Sequence, residues 1–209
     1  MLVKWIRCTV VDRPGFERGQ RRWTELLGRP GFQGQGGGWS RVLPDVAHVF
    51  AFWENRVFYD SFMADGHDRL AGAQSGTCAE VQVKLFEHRF DVKTGFEPDF
   101  TDADVVRVAH SRVREDRADH FALMQQKVWN PAMAGSPGML RGLFGQAPGP
   151  EFLVLSMWRS EAERGKYRPR SAARLAERAE TERDVERLDG DAVRIEDAWT
   201  VRPDGGGRR

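Results

Sequence analysis

His67 is the residue of this 209-residue sequence that most clearly invites a chemical role. It stands in "ADGHDRL", and a matching segment later in the chain, "SAARL", has Ala172 where the first has the histidine. A histidine in only one of two similar segments is expected if one segment does chemistry and the other became scaffold. A neutral imidazole titrates at about pH 6.5 and can accept or donate a proton. We therefore expect His67 to be a catalytic acid or base, the alternative being a surface or helix-capping histidine.

Polar residues also occupy strand positions that should point into the protein. Val3–Val10 alternates in character, with Ile6, Cys8 and Val10 on one face and Trp5, Arg7 and Thr9 on the other. In the similar segment Val106–Val113, the equivalent second face carries Val108, His110 and Arg112. Polar groups at interior positions are costly unless they are paired or hydrated. Arg7, His110 and Arg112 therefore indicate a polar pocket, although the same residues would also fit a solvent-exposed mouth of a barrel.

Two short segments, "FAFWEN" and "LSMWRS", each end a predicted strand with a tryptophan. Alternation divides each strand into two sets, and we expect the bulky set to face the helices: Phe50, Phe52, Leu155 and Met157. The opposite set would then face the interior of a barrel: Val49, Ala51, Trp53, Val154, Ser156 and Trp158. On this interpretation Trp53 and Trp158, together with Trp5, line a ligand site.

These segments belong to a longer internal repeat. When Trp53 is placed over Trp158, five matching stretches follow in the same order through both halves of the chain, with gaps only in expected loops. Such an ordered set indicates an ancient duplication. The pattern predicts a first lobe at residues 1–95, a linker at 96–103, a second lobe at 104–201 and a disordered tail at 202–209.

Each copy has the pattern strand, helix, strand, strand, helix, strand. In the first copy Asp12–Gly28 has helical spacing, "GQGGG" is expected as a turn before a strand at Trp39–Val42, and Asn55 is a candidate helix cap. A βαββαβ unit is the ferredoxin-like fold, whose antiparallel sheet carries helices on one face only. Because the bare face must be covered, we predict an α+β protein in which two such sheets form a barrel within one molecule.

Composition excludes several functional classes. The chain is 40% hydrophobic and 30% charged with a net charge of +1, which gives no electrostatic preference for nucleic acid or anionic membranes. The N-terminal segment is typical of a strand rather than a signal peptide, and Cys8 and Cys78 show no disulfide or metal motif, so a reducing cytoplasm is expected. No dinucleotide, phosphate-loop, zinc or nucleophile-elbow motif is present, so we expect neither a metal nor an obligatory cofactor.

The repeat, with "FAFWEN", "FYDSFM" and "HDRL", resembles the antibiotic-biosynthesis-monooxygenase-like superfamily of dimeric α/β barrels. Nearly the whole chain is also similar to the YdbC-like family of two-lobed bacterial proteins. One branch of the superfamily oxidises polyketide-like phenols to quinones with dioxygen and no cofactor, using tryptophan, asparagine and histidine side chains. Another branch degrades haem with asparagine, tryptophan and an axial histidine. Trp53 matches the tryptophan, Arg7 stands near the place of the asparagine, and His67 lies one turn beyond the place of the axial ligand.

The resemblance implies a small-molecule monooxygenase that acts on an aromatic substrate in the first lobe. His67 would be the acid or base, Arg7 would hold an enolate or phenolate, and Trp53 would form an apolar wall. The remaining ligand contacts would come from Trp5, His110, Arg112 and Trp158. The alternatives are a non-catalytic binding protein for an aromatic or haem-like ligand, and a structural protein whose barrel is filled by side chains. The superfamily also implies a homodimer.

Overall fold

The computed structural model describes residues 1–167 and 172–203. Its long strands are β1 (Leu2–Val10), β2 (Phe32–Ser40), β3 (Val46–Trp53), β4 (Cys78–Lys93), β5 (Val105–Val113), β6 (Met139–Gln146), β7 (Glu151–Trp158) and β8 (Val185–Ile195). Hydrogen bonds join them into a closed barrel in the order β1-β3-β2-β8-β5-β7-β6-β4. The predicted fold class, an α+β protein with an antiparallel barrel built within one chain, is confirmed.

Short helices connect the strands in the described part of the chain. They are α1 (Arg13–Gln20), α2 (Arg56–Asp65), α3 (His67–Ala71), α4 (Ala118–Met124), α5 (Asn130–Ala134), α6 (Glu161–Tyr167), α7 (Ala172–Arg178) and α8 (Thr181–Asp184). A 3-10 segment, Arg21–Leu26, continues α1, and a π-helical segment, Gln125–Trp129, joins α4 to α5. Within the described residues, none of these helices is long and apolar enough to cross a membrane.

The chain divides into two compact units. The first contains Met1–Leu85, Pro98–Phe100 and the described residues from Val193 onward, and the second contains Phe86–Glu97 and Thr101–Ala192. A compact unit is a different property from a duplicated segment, so the lobes at 1–95 and 104–201, with their linker at 96–103, stay a prediction. The predicted tail lies outside the described residues from position 204 onward.

Local sequence explains where two helices of the first unit begin. Asp12 precedes α1, and its carboxylate accepts a hydrogen bond from Gly15 N at 3.0 Å, with Pro14 in the first turn. Asn55 precedes α2 in extended backbone, and its Oδ1 accepts a hydrogen bond from Phe58 N at 3.2 Å. Such caps satisfy backbone donors that the first helical turn leaves unpaired. The predicted cap at Asn55 is confirmed, and it fixes the direction in which α2 leaves the end of β3.

The register of β1 against β3 decides which side chains of the first sheet share a face. Trp5 lies opposite Phe50, and Leu2 lies opposite Trp53. Residues directly opposite each other in antiparallel strands point to the same side. Leu2 and Trp53 belong to a buried cluster with the helical residue Tyr59, so this set faces the helices and the set with Trp5 and Phe50 faces away from them.

The predicted orientation of β3 is therefore wrong. Phe50 and Phe52, expected against the helices because of their size, point away from them, and Trp53 points toward them. Every residue of β3 is buried, so the size of a side chain does not distinguish the two faces. The predicted orientation of β1 is correct, since Trp5 and Arg7 lie on the face opposite the helices.

The glycine-rich stretch "GQGGG" is part of β2 rather than a turn, which corrects the expectation from composition. A β-carbon at Gly36 would overlap the ring of Phe100, and one at Gly38 would overlap the carbonyl oxygen of Arg194. Phe100 is 3% exposed, and its ring centroid lies 6.0 Å from that of Phe52. The glycines therefore leave room for the close approach of two other segments of the first unit, one of which comes from the predicted linker.

The second unit shows the same reversal on β7. Trp158 and Val154 pack in a buried cluster with Phe121 of α4, so they face the helices. Leu155 and Met157 alternate with them along the strand and point to the other side. The predicted barrel-facing position of Trp158 is therefore wrong, for the same reason as that of Trp53.

A fully buried carboxylate ties the helices of the second unit together. Asp184, at the end of α8, accepts a hydrogen bond from Arg117 Nε at 2.7 Å and lies 2.7 Å from Nδ1 of His120. Its hydrogen bond raises the pKa of the Arg117 guanidinium, which also donates to Glu180 at 2.9 Å. Buried charges persist when they are paired and hydrogen-bonded. We interpret this network as a structural link that holds α8 against the start of α4.

Candidate functional site

Two predicted site residues of the first unit, Trp53 and His67, are linked through Phe62. The indole of Trp53 stacks on the Phe62 ring, with 5.0 Å between centroids and 23° between planes. The imidazole of His67 meets the Phe62 ring edge-on, with 6.0 Å between centroids. The centroid of the Trp23 indole also lies 6.0 Å from that of the His67 ring. His67 therefore belongs to the margin of an aromatic cluster, as an acid or base beside an aromatic ligand would require.

His67 has a defined hydrogen-bonding partner. It is the first residue of α3, its side chain is 21% exposed, and its Nδ1 lies 3.0 Å from Oδ1 of Asp68. An ionised carboxylate can only accept, so Nδ1 of a neutral ring carries the hydrogen and Nε2 carries the lone pair. α3 has no side-chain cap at its start, so the helix-capping alternative for His67 is not what this structure shows.

Lys4 is a buried amine on the helix side of β1. The residue is 4% exposed, and its Nζ lies 3.8 Å from Sδ of Met63 and 5.4 Å from the ring centroid of Tyr59. No carboxylate of the described residues pairs with it. Burial lowers the pKa of the Lys4 ammonium from 10.5 to about 8, because removal from water disfavours the charged form.

Aromatic and thioether side chains surround this amine. Tyr59 is 6% exposed, burial raises the pKa of its phenol, and its ring meets Trp53 edge-on at 6.1 Å. Met63 is half-buried and lies over Nζ of Lys4. We call the set the helix-side cluster; its members are Lys4, Trp53, Tyr59, Phe62, Met63 and His67. It brings a basic nitrogen, a phenol and an imidazole around an aromatic wall.

Arg7 and Trp5 lie on the opposite face of the same sheet, so the structure does not bring Arg7 together with His67. Trp5 Nε1 donates to Nδ1 of His48 at 3.0 Å, and the two rings stack at 5.9 Å. Arg7 stands opposite His48 in the register, is half-buried, and makes no hydrogen bond or ion pair within the described residues. His48 is 1% exposed, and no local pattern predicts that a histidine and a tryptophan from different strands would pair.

Two predicted site residues of the second unit, His110 and Arg112, lie next to acidic side chains. His110 is 8% exposed, its Nε2 lies 3.0 Å from Oε2 of Glu151, and its Nδ1 lies 4.0 Å from Oδ2 of Asp189. Arg112, with a side chain 60% exposed, has its Nε 3.3 Å from Oε2 of Glu186. An exposed ion pair contributes little and is hydrated. Arg112 thus fits the solvent-exposed alternative, while His110 is an interior polar residue with partners.

Trp158, which the predicted repeat aligns with Trp53, is a core residue. It is 1% exposed, its Nε1 donates to Ser156 Oγ at 3.0 Å, and its indole lies 5.7 Å from the ring of Tyr167. The position equivalent to Lys4 in the alignment of the two β-strands is occupied by Arg107, which donates to backbone carbonyl oxygens of Val108 and Asp191. Among the described residues, the first unit thus has a buried primary amine at this strand position, where the second unit has a guanidinium.

Lys4 is the residue that sequence reasoning missed. Its signal was present in the alternation of β1, because Lys4 shares a face with Leu2, Ile6, Cys8 and Val10, which are otherwise apolar. A lysine in such a row is either at a sheet margin or buried with a lowered pKa. In the described residues, no group of three or more histidine, cysteine or acidic side chains is arranged to hold a metal ion.

Sequence comparison connects the chain with one family. The family described as a domain of unknown function, DUF4937, matches residues 2–86. The uncharacterized protein YdbC of Bacillus subtilis is 30% identical over 117 residues, which span 48% of this chain and 97% of that protein. The relative is therefore matched over nearly its full length.

Solved structures share the fold at low sequence identity. A proposed monooxygenase from Lactobacillus acidophilus has a TM-score of 0.72 at 17% identity, covering 96% of this chain and 95% of that one. An anthrone oxidase-like protein has a TM-score of 0.66 at 12% identity, covering 93% and 91%. A ferredoxin-fold protein from Listeria monocytogenes, related to antibiotic biosynthesis monooxygenases, has a TM-score of 0.52 at 10% identity, covering 92% and 95%. At these identities the likeness shows the fold.

Proposed function

The chain belongs to the YdbC family of bacterial proteins, and we propose that it is a small-molecule monooxygenase that works at the helix-side cluster of the first unit. Its substrate would be an aromatic compound with an acidic phenol or an acidic CH₂ group next to a ring carbonyl. The observation that carries the proposal is the buried amine of Lys4, which has no acidic partner among the described residues and lies against the aromatic ring of Tyr59.

A substrate of this class would supply the negative charge that the helix-side cluster lacks. A buried ammonium without a counter-ion is unfavourable, and a phenolate or enolate supplies the missing negative charge. The aromatic body of the substrate would pack against Trp53 and Tyr59, whose ring faces also favour a nearby cation. We assign the anion-holding role to Lys4 in place of Arg7, because Arg7 lies on the other face of the sheet.

We propose that the substrate reaches Lys4 past Met63. The thioether lies over Nζ and is half-buried, and methionine is an unbranched side chain with three rotatable bonds that repacks readily. Rotation of Met63 would therefore open the cluster toward solvent without movement of the strands. On this proposal, the packing of Met63 against Lys4 corresponds to a closed arrangement of the site.

The proposed reaction needs only dioxygen as a co-reactant. The neutral Lys4 amine takes a proton from the substrate, and the resulting carbanion transfers electrons to dioxygen. One oxygen atom becomes bonded to the substrate carbon as a carbonyl, and the other leaves as water together with both hydrogens of the original CH₂ group. The balance is R₂CH₂ + O₂ → R₂C=O + H₂O. His67, with its Nε2 lone pair at the margin of the cluster, would relay protons between the site and solvent.

The haem-degrading branch fits this cluster less well. Phe62 fills the space between Trp53 and His67, touching both rings. A porphyrin bound to His67 and resting on Trp53 would have to displace Phe62, which is 5% exposed and part of the core. The proposed reaction therefore does not use haem.

The proposal is tested by oxygen consumption. Purified protein is mixed with anthrone and with a hydroxylated anthrone in an oxygen electrode cell, without added cofactor, and the quinone is measured by absorbance. We expect one dioxygen consumed for each quinone formed, and a loss of roughly 100-fold in Lys4→Met. Lys127→Met, an exposed lysine of the second unit, is the matched control and keeps full activity.

Two alternatives predict different results. A binding protein would show saturable quenching of tryptophan fluorescence by the anthrones with no oxygen uptake above the buffer rate. A structural protein with a filled cluster would show neither. The close packing of Trp53, at 1% exposure, is the feature that favours the structural alternative, and Met63→Ala would leave ligand quenching absent in that case.

A further inference from the structure

The two cysteines of the chain, which show no motif in the sequence, meet in the first unit. Cys8 lies on the helix side of β1, and Cys78 is the first residue of β4. Both belong to one buried cluster, built around Phe16, Trp39 and Trp199, with Cys8 inside it and Cys78 packed against it. They are free thiols in this structure.

Backbone hydrogen bonds hold the two cysteine-bearing segments together. The carbonyl oxygen of Thr77 accepts from Val11 N at 2.8 Å and from Asp12 N at 3.1 Å. The residue before Cys78 is thereby fixed to the residues that follow β1. The Cys78 side chain packs against the buried cluster that contains Cys8, so the two thiols lie in one packed region of the first unit.

The two thiols differ in exposure to solvent. Cys8 is 4% exposed, whereas Cys78 is half-buried. Burial, reinforced by the neighbouring Cys78, raises the pKa of the Cys8 thiol from 9.0 to about 12. Thr77, next to Cys78, lines an open cleft of about 340 Å³ beside α1. An oxidant in solution therefore reaches Cys78 first, since reactivity follows exposure and thiolate character.

We propose that Cys8 and Cys78 form a reversible intramolecular disulfide when the protein meets peroxide or a dithiol oxidant. In the first step the Cys78 thiol displaces water from hydrogen peroxide and becomes a sulfenic acid. In the second step the sulfur of Cys8 attacks that of Cys78, the S–O bond breaks, and the oxygen leaves as a second water. The two thiols lose two protons and two electrons in total, and these reduce the peroxide to two waters.

Such a pair fits a redox-responsive thiol better than a structural disulfide. In reducing compartments disulfides are rare and, where present, are mostly transient and redox-sensing. The bond would tie the start of β4 to β1, the strand that also carries Lys4. This inference stands on the thiol geometry alone and does not depend on the proposed monooxygenase activity.

Intact mass spectrometry tests the proposal on the native full chain. The protein is treated with diamide or with peroxide, free thiols are then blocked with N-ethylmaleimide without reduction, and the intact mass is measured. We expect loss of two hydrogens, no maleimide adducts, and full reversal by dithiothreitol. Trypsin should then release one cross-linked species that joins the peptide "CTVVDRPGFER", which begins at Cys8, to "LAGAQSGTCAEVQVK", which contains Cys78.

Two variants distinguish the intramolecular disulfide from other oxidation products of the cysteines. Cys78→Ser should show no loss of two hydrogens with either oxidant, and Cys8→Ala should convert Cys78 to a mixed disulfide when glutathione is added with the diamide. The proposal is overturned if the treated, folded wild type still takes up two maleimides. It is equally overturned if the product is a disulfide-linked dimer, or if Cys78 gains oxygen atoms without forming the cross-linked peptide.

Discussion

The Nζ atom of Lys4 lies 3.8 Å from Sδ of Met63 and 5.4 Å from the ring centroid of Tyr59, on the side of the first sheet that carries the helices. Thioether and aromatic ring are weak partners for an ammonium compared with a carboxylate. The amine is therefore held in a place that costs stability, and burial lowers its pKa to about 8. A costly buried group of this kind is characteristic of sites with a function.

Lys4→Met is expected to increase the free energy of unfolding by about 1–3 kcal/mol at neutral pH, while it reduces the proposed activity by roughly 100-fold. The reason is that replacement of a buried charge by an apolar side chain of similar length is often stabilising. Urea unfolding of wild type and variant, followed by tryptophan fluorescence, measures the difference. A variant less stable than the wild type would contradict the account of Lys4 as a strained, functional residue.

The stability of the wild type should also depend on pH in a defined direction. The folded-state pKa of Lys4 is about 8 against an ordinary 10.5, so above pH 8 the unfolded chain binds more protons and stability rises with pH. Cys8 acts in the opposite direction above its ordinary pKa of 9.0, because burial raises the pKa of that thiol. Wild type and Lys4→Met are therefore compared between about pH 7 and 9. In this range the free energy of unfolding should rise with pH only in the wild type.

His67→Ala is expected to reduce turnover by roughly 100-fold, the usual effect of removing a general acid or base. Its side chain is 21% exposed, so the fold should lose no more than about 1 kcal/mol. Steady-state rates over a range of pH, with thermal unfolding as the control, test this. An unchanged rate and an unchanged pH profile would remove His67 from the mechanism, and Asp68→Asn would show whether the Nδ1 partner matters.

Trp53→Ala and Trp158→Ala should each cost about 3–5 kcal/mol of stability, because both indoles are 1% exposed and packed in the cores beneath the helices. Trp53→Phe, which keeps a ring against Phe62, should cost less than half of that. Chemical denaturation of the three variants measures the differences. If either alanine variant were as stable as the wild type, the corresponding tryptophan would be lining a cavity instead of filling a core.

Gly36 and Phe100 should behave as a coupled pair. Phe100→Ala is expected to cost about 3–5 kcal/mol, and Gly36→Ala about 1–3 kcal/mol, because the added methyl group overlaps the Phe100 ring. In the double variant the methyl group occupies vacated space, so the two costs should not add, with a coupling energy of about 1–3 kcal/mol. Additive costs would show that the predicted linker does not depend on the glycine at this position.

The order of elements was predictable from the sequence because it rests on local patterns. The cap at Asn55 and the alternation of β1 each involve residues close together in the chain, and both are confirmed. The orientation of β3 was predicted wrongly, since alternation has period two and is symmetric between the faces. Which face meets the helices depends on the pairing of Trp5 with Phe50, two residues brought together by the sheet.

The candidate site was predictable in part. Trp53 and His67 were identified by comparison of the two halves, and the structure places both against Phe62. Lys4 was missed although its row of apolar neighbours marked it. Arg7 was expected to act together with His67, and the structure places it on the opposite face of the sheet. Whether a lysine in an apolar row is buried or snorkels to solvent depends on what covers it, and here the cover comes from α2.

The sequence by itself determined the strands and helices, their order and two alternating sets of side chains in each strand, because those properties follow from backbone preferences and spacing within a few residues. Tertiary structure decided which set faces the helices, that an unpaired amine meets Tyr59 and Met63, that Cys8 and Cys78 share one packed cluster, and that Phe100 packs over a glycine. Each of these depends on contacts between residues far apart in the chain, which a periodic pattern does not encode.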